Sequence, residues 1–133
     1  MLTVSQWPFL LHVLVEVPAS INFFFNPASQ MQTPHQDAFP IIRQYAVLLM
    51  SMNLIAMACL FQAPDDTNPW IPAAMGLYHF APLYRAAVGL SKSNTGRAHR
   101  VRGLGGPVVH FIVHSACLGA LINLTLEMAI SRS

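Results

Sequence analysis

Four stretches of the chain are nearly free of charge, and short polar segments separate them. They cover about residues 4 to 25, 39 to 62, 70 to 90 and 107 to 130. A helix that crosses a bilayer needs about 20 mostly apolar residues, and each stretch reaches that length. The second makes the strongest case: YAVLLMSMNLIAMACLF, Tyr45 to Phe61, carries no charged side chain. The second and fourth open near Pro40 and Pro107, and proline suits a first helical turn because its missing N–H is unused there. The pattern predicts an all-α fold: a single integral membrane four-helix bundle, up-down-up-down, with short loops.

The separating segments read as loops. NPASQMQTPHQDA has two prolines, APDDTNP is short and acidic, and SKSNTGRAHRVRGLGG is basic and glycine-rich. The short second link predicts that the second and third helices are antiparallel neighbours. Lys92, Arg97, Arg100 and Arg102 all fall in the third link, whereas the second has no Lys or Arg. Lys/Arg bias orients membrane helices, so the first and third links are expected in the cytosol. Both termini then face the opposite side, with Trp7 and Trp70 at that far interface. The N-terminus lacks the positive region of a cleaved signal peptide, so the first stretch is expected to be a retained span.

Composition strengthens the membrane reading. Of 133 residues, 54% are hydrophobic and only 9% charged, against about a quarter charged in ordinary soluble domains. A soluble amphipathic bundle is the competing architecture. It requires charged stripes at helical spacing, and the second stretch has none. A net charge of +2 without a stacking platform gives no sign of nucleic-acid binding. Cys59 and Cys117 form no CxxC or metal-spaced motif and read as packing residues.

The chemistry rests on polar residues inside apolar stretches. Glu16 sits near the middle of the first, where a lone carboxylate costs roughly a few kcal/mol. Either it is neutral and hydrogen-bonded to another helix, or it gives and takes protons in a pocket. His12 lies four residues earlier on the same helical face. By depth, Glu16, Asn22, Arg43, His79, Arg85, His110 and His114 can line one cavity open toward the cytosol. In the third stretch, GLYHFAPLYRA, Tyr78, Pro82 and Arg85 fall on one stripe, and Pro82 can kink the helix. Arg85 has an alternative role, snorkelling to the interface. Tyr45 lies close to Arg43. Asn53, Asn123 and Glu127 form a weaker group toward the far side.

Glu16, His12 and His79 are therefore the candidate catalytic residues. Asn22, Arg43, Tyr45, Tyr78, Arg85, His110 and His114 are the candidate ligand-binding residues. His110 and His114 have zinc-compatible spacing, but HFIVH lacks the acidic second residue of HExxH. No third ligand is legible, so no metal or other cofactor is expected. A bis-imidazole haem between His79 and either His110 or His114 is a further alternative.

The segments VEVPASINFFFNPASQ, IIRQYAVLL and GLYHFAPLYRA, with short links between four spans, resemble small uncharacterised fungal membrane proteins. Some of these accompany biosynthetic gene clusters. The resemblance implies endoplasmic-reticulum-type membranes and a lipophilic ligand, terpenoid or polyketide. The chain is also similar to four-span sterol-isomerase-like proteins in placing acidic and His residues within the membrane, a part His12 and Glu16 can play. The second intramembrane acid and aromatic-rich patterns of that group are not clear here. Small membrane terpene cyclases, which protonate an olefin or epoxide with an intramembrane acid, are a third likeness, although they usually have more spans.

Two functional classes follow. One is an acid–base isomerase or cyclase acting on a lipophilic small molecule, with membrane lipid around it and aromatic faces shielding a cationic intermediate. The other is a non-enzymatic membrane subunit, assembly factor or transport accessory with a protein partner or a second copy of itself.

Overall fold

The computed structural model describes residues 3–31, 33–62, 67–94 and 106–132, the side chains of 92–94 excepted. Among these residues there are four α-helices and no strand: α1 (Trp7–Phe25), α2 (Phe39–Phe61), α3 (Trp70–Asn94) and α4 (Gly106–Ile130). The helices match the four apolar stretches closely. A 3₁₀ turn, Val4–Gln6, precedes α1, and the Thr3 N–H donates to Gln6 Oε1 at 2.9 Å. Gly106 opens α4 at φ +71°, a left-handed conformation that glycine adopts without a Cβ clash. The basic residues behind the orientation expectation, Arg97, Arg100, Arg102 and the Lys92 side chain, lie outside the described residues.

Buried positions recur at three- and four-residue steps, the spacing of a helix with one inward face. In α1 they include Phe9, His12, Glu16 and Ser20; in α2, Ala46, Leu49, Asn53 and Ala56; in α4, His114, Cys117, Leu121, Leu124 and Met128. Met75, His79 and Ala86 continue the pattern in α3. Small residues on these faces let the helices approach. A Cβ placed on Gly76 meets Leu121 Cβ at 3.6 Å, and one on Gly89 meets Pro107 Cβ at 3.1 Å.

The helices pair as two hairpins. α1 runs along α2, α3 along α4, and α1 meets α4 through a thinner seam. Gln6 Nε2 donates to the Leu60 carbonyl at 2.7 Å, and the Phe23 and Tyr45 rings stack at the other end. Those two pairs make α1 and α2 antiparallel. Gly89 beside Pro107 and Gly76 beside Leu121 do the same for α3 and α4. Each hairpin is thus antiparallel, whereas α2 and α3, expected to be neighbours from their short link, make few contacts. Trp7 and Trp70, both exposed, sit at the starts of α1 and α3.

Polarity is inverted relative to a water-soluble fold. His12, Glu16, Asn53 and His79 are buried, while Leu14, Leu48, Leu54, Leu77, Phe80, Ile112 and Leu126 face outward. Such an apolar exterior is consistent with a membrane protein, and it lacks the charged stripes that a soluble amphipathic bundle requires. Three helical segments are long and apolar enough to cross a membrane: Val4–Phe25, Gln36–Phe61 and Gly106–Ile130. α3 has 25 residues, about 37 Å of helix at the standard rise. Its length suffices, but His79, Arg85, Lys92 and two prolines keep its mean hydropathy below that of the other three.

Candidate metal centre

Three of the four helices carry, at mid-height, one or two inward polar side chains that meet inside the bundle. α1 supplies His12 and Glu16, α3 supplies Tyr78 and His79, and α4 supplies His114. His12 and His79 are 0% exposed, Glu16 is 1% and His114 is 7%. The imidazoles form a chain: His12 Nδ1 lies 3.0 Å from His79 Nε2, and His79 Nδ1 lies 2.9 Å from His114 Nδ1. Glu16 Oε1 stands 3.6 Å from His79 Nδ1 and 3.5 Å from His114 Nδ1. The other carboxylate oxygen, Oε2, accepts from Tyr78 Oη at 3.2 Å. Tyr78 Oη in turn accepts from Tyr45 Oη at 3.0 Å.

Glu16 Oε1, His79 Nδ1 and His114 Nδ1 therefore form a nearly equilateral triangle of donor atoms from three helices. They fall within 4.8 Å of one another as a group able to hold a metal ion. Ligands about 2.0–2.1 Å from a tetrahedral ion are about 3.3 Å apart. The observed sides of 2.9, 3.5 and 3.6 Å bracket that value. Two nitrogen lone pairs cannot face each other at 2.9 Å unless a proton or a cation lies between them. Glu16 Oε1 is also buried with no hydrogen-bond partner, as a carboxylate oxygen awaiting a cation would be.

The surroundings fit a metal as well. A ligating histidine normally donates its other N–H, which fixes the tautomer. With the proton on His79 Nε2, its partner is His12 Nδ1 and its Nδ1 lone pair is free. Tyr78 likewise holds Glu16 by Oε2 and leaves Oε1 toward the histidines. Three further buried atoms lack partners: His12 Nε2 and both amide atoms of Asn53.

The other expected site residues stand apart. Arg43 Nε donates to the Phe24 carbonyl at 3.2 Å, and Arg85 Nη2 to the Gln30 carbonyl at 3.3 Å. Both arginines thus tie down the end of α1 and the turn after it. Asn22 Nδ2 donates to Ser29 Oγ at 3.3 Å. His110 donates from Nδ1 to the Gly106 carbonyl at 2.8 Å. The shared cavity of seven residues is therefore not formed; of the seven, Glu16, His79 and His114 converge, joined by His12, Tyr78 and Tyr45. The zinc-like pair His110 and His114 does not converge either, because its members make separate contacts. The actual triad draws one residue from each of three helices, which no spacing along the chain reveals. A haem does not fit between His79 and His114, since nitrogens 2.9 Å apart leave no room for a macrocycle.

Two hollows stand out among the described residues, and neither is lined by the cluster. One, of about 10 Å³, lies among Phe9, Cys59, Leu124 and Met128. The other is an open apolar groove of about 200 Å³ between α3 and α4, along Leu77, Phe80, Leu118 and Ile122. Cys59 and Cys117 are free and buried, in keeping with packing roles. Asn123 Nδ2 donates to Glu127 Oε1 at 2.6 Å on the exposed face of α4, away from the cluster. No protein family, curated protein or solved structure matches this chain.

Proposed function

We propose that this chain crosses a membrane four times and holds a divalent transition-metal ion, of the zinc class, between Glu16, His79 and His114. The triangle of donor atoms carries the reading. Its two imidazole nitrogens and one carboxylate oxygen form a donor set used by hydrolytic zinc sites, which leave a fourth position open. A metal ion at such a site supplies Lewis-acid chemistry. The chain's own residues do the rest: Tyr78 orients the carboxylate, His12 accepts the His79 Nε2–H, and the apolar exterior keeps bulk water out. α3 completes the four spans in this reading. It lies antiparallel to α4, turns Tyr78 and His79 inward and shows Leu77 and Phe80 outward.

The test is metal content and cobalt spectroscopy on the full chain in detergent. Stoichiometric zinc or cobalt is expected, with tetrahedral cobalt bands that vanish in Glu16→Gln and His114→Ala. A well-folded helical protein that takes up neither ion refutes the proposal.

One observation favours a second reading. Glu16 Oε1 is buried without a partner, so it is free to carry a proton and hand it to a substrate. The chain would then be an acid–base isomerase or cyclase for a lipophilic molecule in an endoplasmic-reticulum-type membrane. Glu16 would be the acid and His12 or His79 its proton partner. Turnover by metal-stripped protein that Glu16→Gln abolishes would favour this reading. Turnover that requires added metal would oppose it.

A further inference from the structure

We infer that Asn53 and His12 form a buried site for the hydroxyl group of a lipophilic alcohol, beside the metal centre and outside its donor triangle. The site goes beyond the metal reading, because none of its hydrogen bonds involves an ion.

Asn53 is 0% exposed, and neither its amide oxygen nor its amide nitrogen has a partner. Its buried neighbours on α2 are Ala46, Leu49, Ala56 and Cys59, which offer nothing stronger than a thiol. Folded proteins rarely leave both ends of a buried amide unbonded. Leucine would fill the position without that penalty, so the amide points to a ligand that completes its hydrogen bonds.

The pairing of α1 with α2 sets the height of this residue. Gln6 bonds the Leu60 carbonyl near one end, and Phe23 stacks on Tyr45 near the other. Both helices rise equally per residue, so Asn53 falls opposite the turn of α1 between His12 and Glu16. All three residues are buried on inward faces. Asn53 is thus the polar group that α2 brings to the level of the cluster, and the metal triangle does not use it.

The hydrogen-bonding groups on offer define the ligand. With His79 donating from Nε2, His12 Nδ1 is the acceptor and the His12 proton sits on Nε2. That N–H is buried without a partner as well. Asn53 adds an amide N–H donor and a carbonyl acceptor. A hydroxyl complements this set. Its oxygen has two lone pairs for the two N–H groups, and its proton goes to Asn53 Oδ1. An ether, ester or carboxylate oxygen has no proton to give and leaves Oδ1 unbonded. A hydroxyl is also small, which suits a position that lines neither of the two hollows. The apolar exterior selects a lipophilic body. α2 and α3 make few contacts, so the edge between them is where that body reaches Asn53 from the lipid.

The test is nuclear magnetic resonance of the full chain in detergent micelles. The Asn53 side-chain NH2 signals are identified by their loss in Asn53→Leu. The probes are 1-dodecanol and cyclododecanol, and dodecyl methyl ether is the control without a hydroxyl proton. At least one alcohol should shift the Asn53 signals saturably, and the ether should not. The backbone amide of Ala56, three residues on, reads the affinity in every variant. That affinity should fall about tenfold to a hundredfold in Asn53→Leu, as expected for two lost hydrogen bonds. Asn53→Ala supplies the answer if the leucine variant does not fold. Equal shifts from the ether overturn the site, as does unchanged alcohol affinity in a folded variant. Asn53 signals that neither alcohol moves also overturn it and leave a bound water only. Zinc content separates the two ideas. Alcohol binding by a protein that takes up no metal leaves this site standing and removes the metal reading; metal uptake without alcohol binding does the opposite.

Discussion

Replacing His12 with leucine separates a metal-supporting role from a packing role. His12 makes one hydrogen bond, to His79 Nε2 at 3.0 Å, and its own Nε2 is buried without a partner. Leucine has similar bulk and removes both features. Losing the acceptor strands the His79 Nε2–H, a penalty of about 1–3 kcal/mol. Removing the unpartnered Nε2 recovers a comparable amount, so metal-free stability should change by less than about 1 kcal/mol. Metal affinity should not escape as lightly. Removing a residue that fixes a ligand's tautomer typically lowers affinity about 10–100-fold, or about 1.4–2.7 kcal/mol. Zinc titration against a fluorescent chelator reads the affinity, and thermal melting in detergent with and without zinc reads the stability. The stabilisation given by a fixed zinc excess should shrink in step with the affinity. Unchanged zinc affinity in a folded His12→Leu protein would refute the reasoning, and a large loss of metal-free stability would make His12 a packing residue.

Two further predictions follow from the same contacts. His114→Ala should abolish metal uptake while His110→Ala leaves it intact, since His110 bonds only the Gly106 carbonyl; equal losses in cobalt absorbance would contradict the assignment. Asn53→Leu should leave melting unchanged or raise it by the equivalent of about 1 kcal/mol, because neither amide atom has a partner to lose. A marked drop in melting temperature would show that Asn53 is bonded in the membrane.

Helix positions were legible because hydropathy is a local property. The apolar run from Tyr45 to Phe61 and the proline at 107 marked α2 and α4 within a residue or two. α3 was read as a span like the others, yet it is less apolar than they are, since the residues that furnish the site, Tyr78 and His79, also dilute its apolar character. Glu16 was legible as a residue in need of a partner. The identity of its partners was not, because it depends on the rotation of three helices about their own axes. Residues only one or two positions apart on a helix diverge for that reason. Tyr78 turns toward Glu16 while Leu77 faces outward; even one turn along the same helix, His114 joins the triad while His110 bonds the Gly106 carbonyl. The arginines misled because depth alone does not show direction: Arg43 and Arg85 have the right height but reach toward the chain end of α1.

The two-hairpin arrangement also bears on how the chain is made. Glu16 and His12 belong to the hairpin synthesised first, and most of their partners belong to the second. If the chain spans a membrane as proposed, the leading pair of helices would enter the bilayer with a bare carboxylate and imidazole, before Tyr78, His79 and His114 exist. Insertion machinery, a transient water file or a proton would then have to shelter Glu16 until the trailing pair arrived. Translational pausing between the halves would therefore be felt first as failed membrane integration of α1.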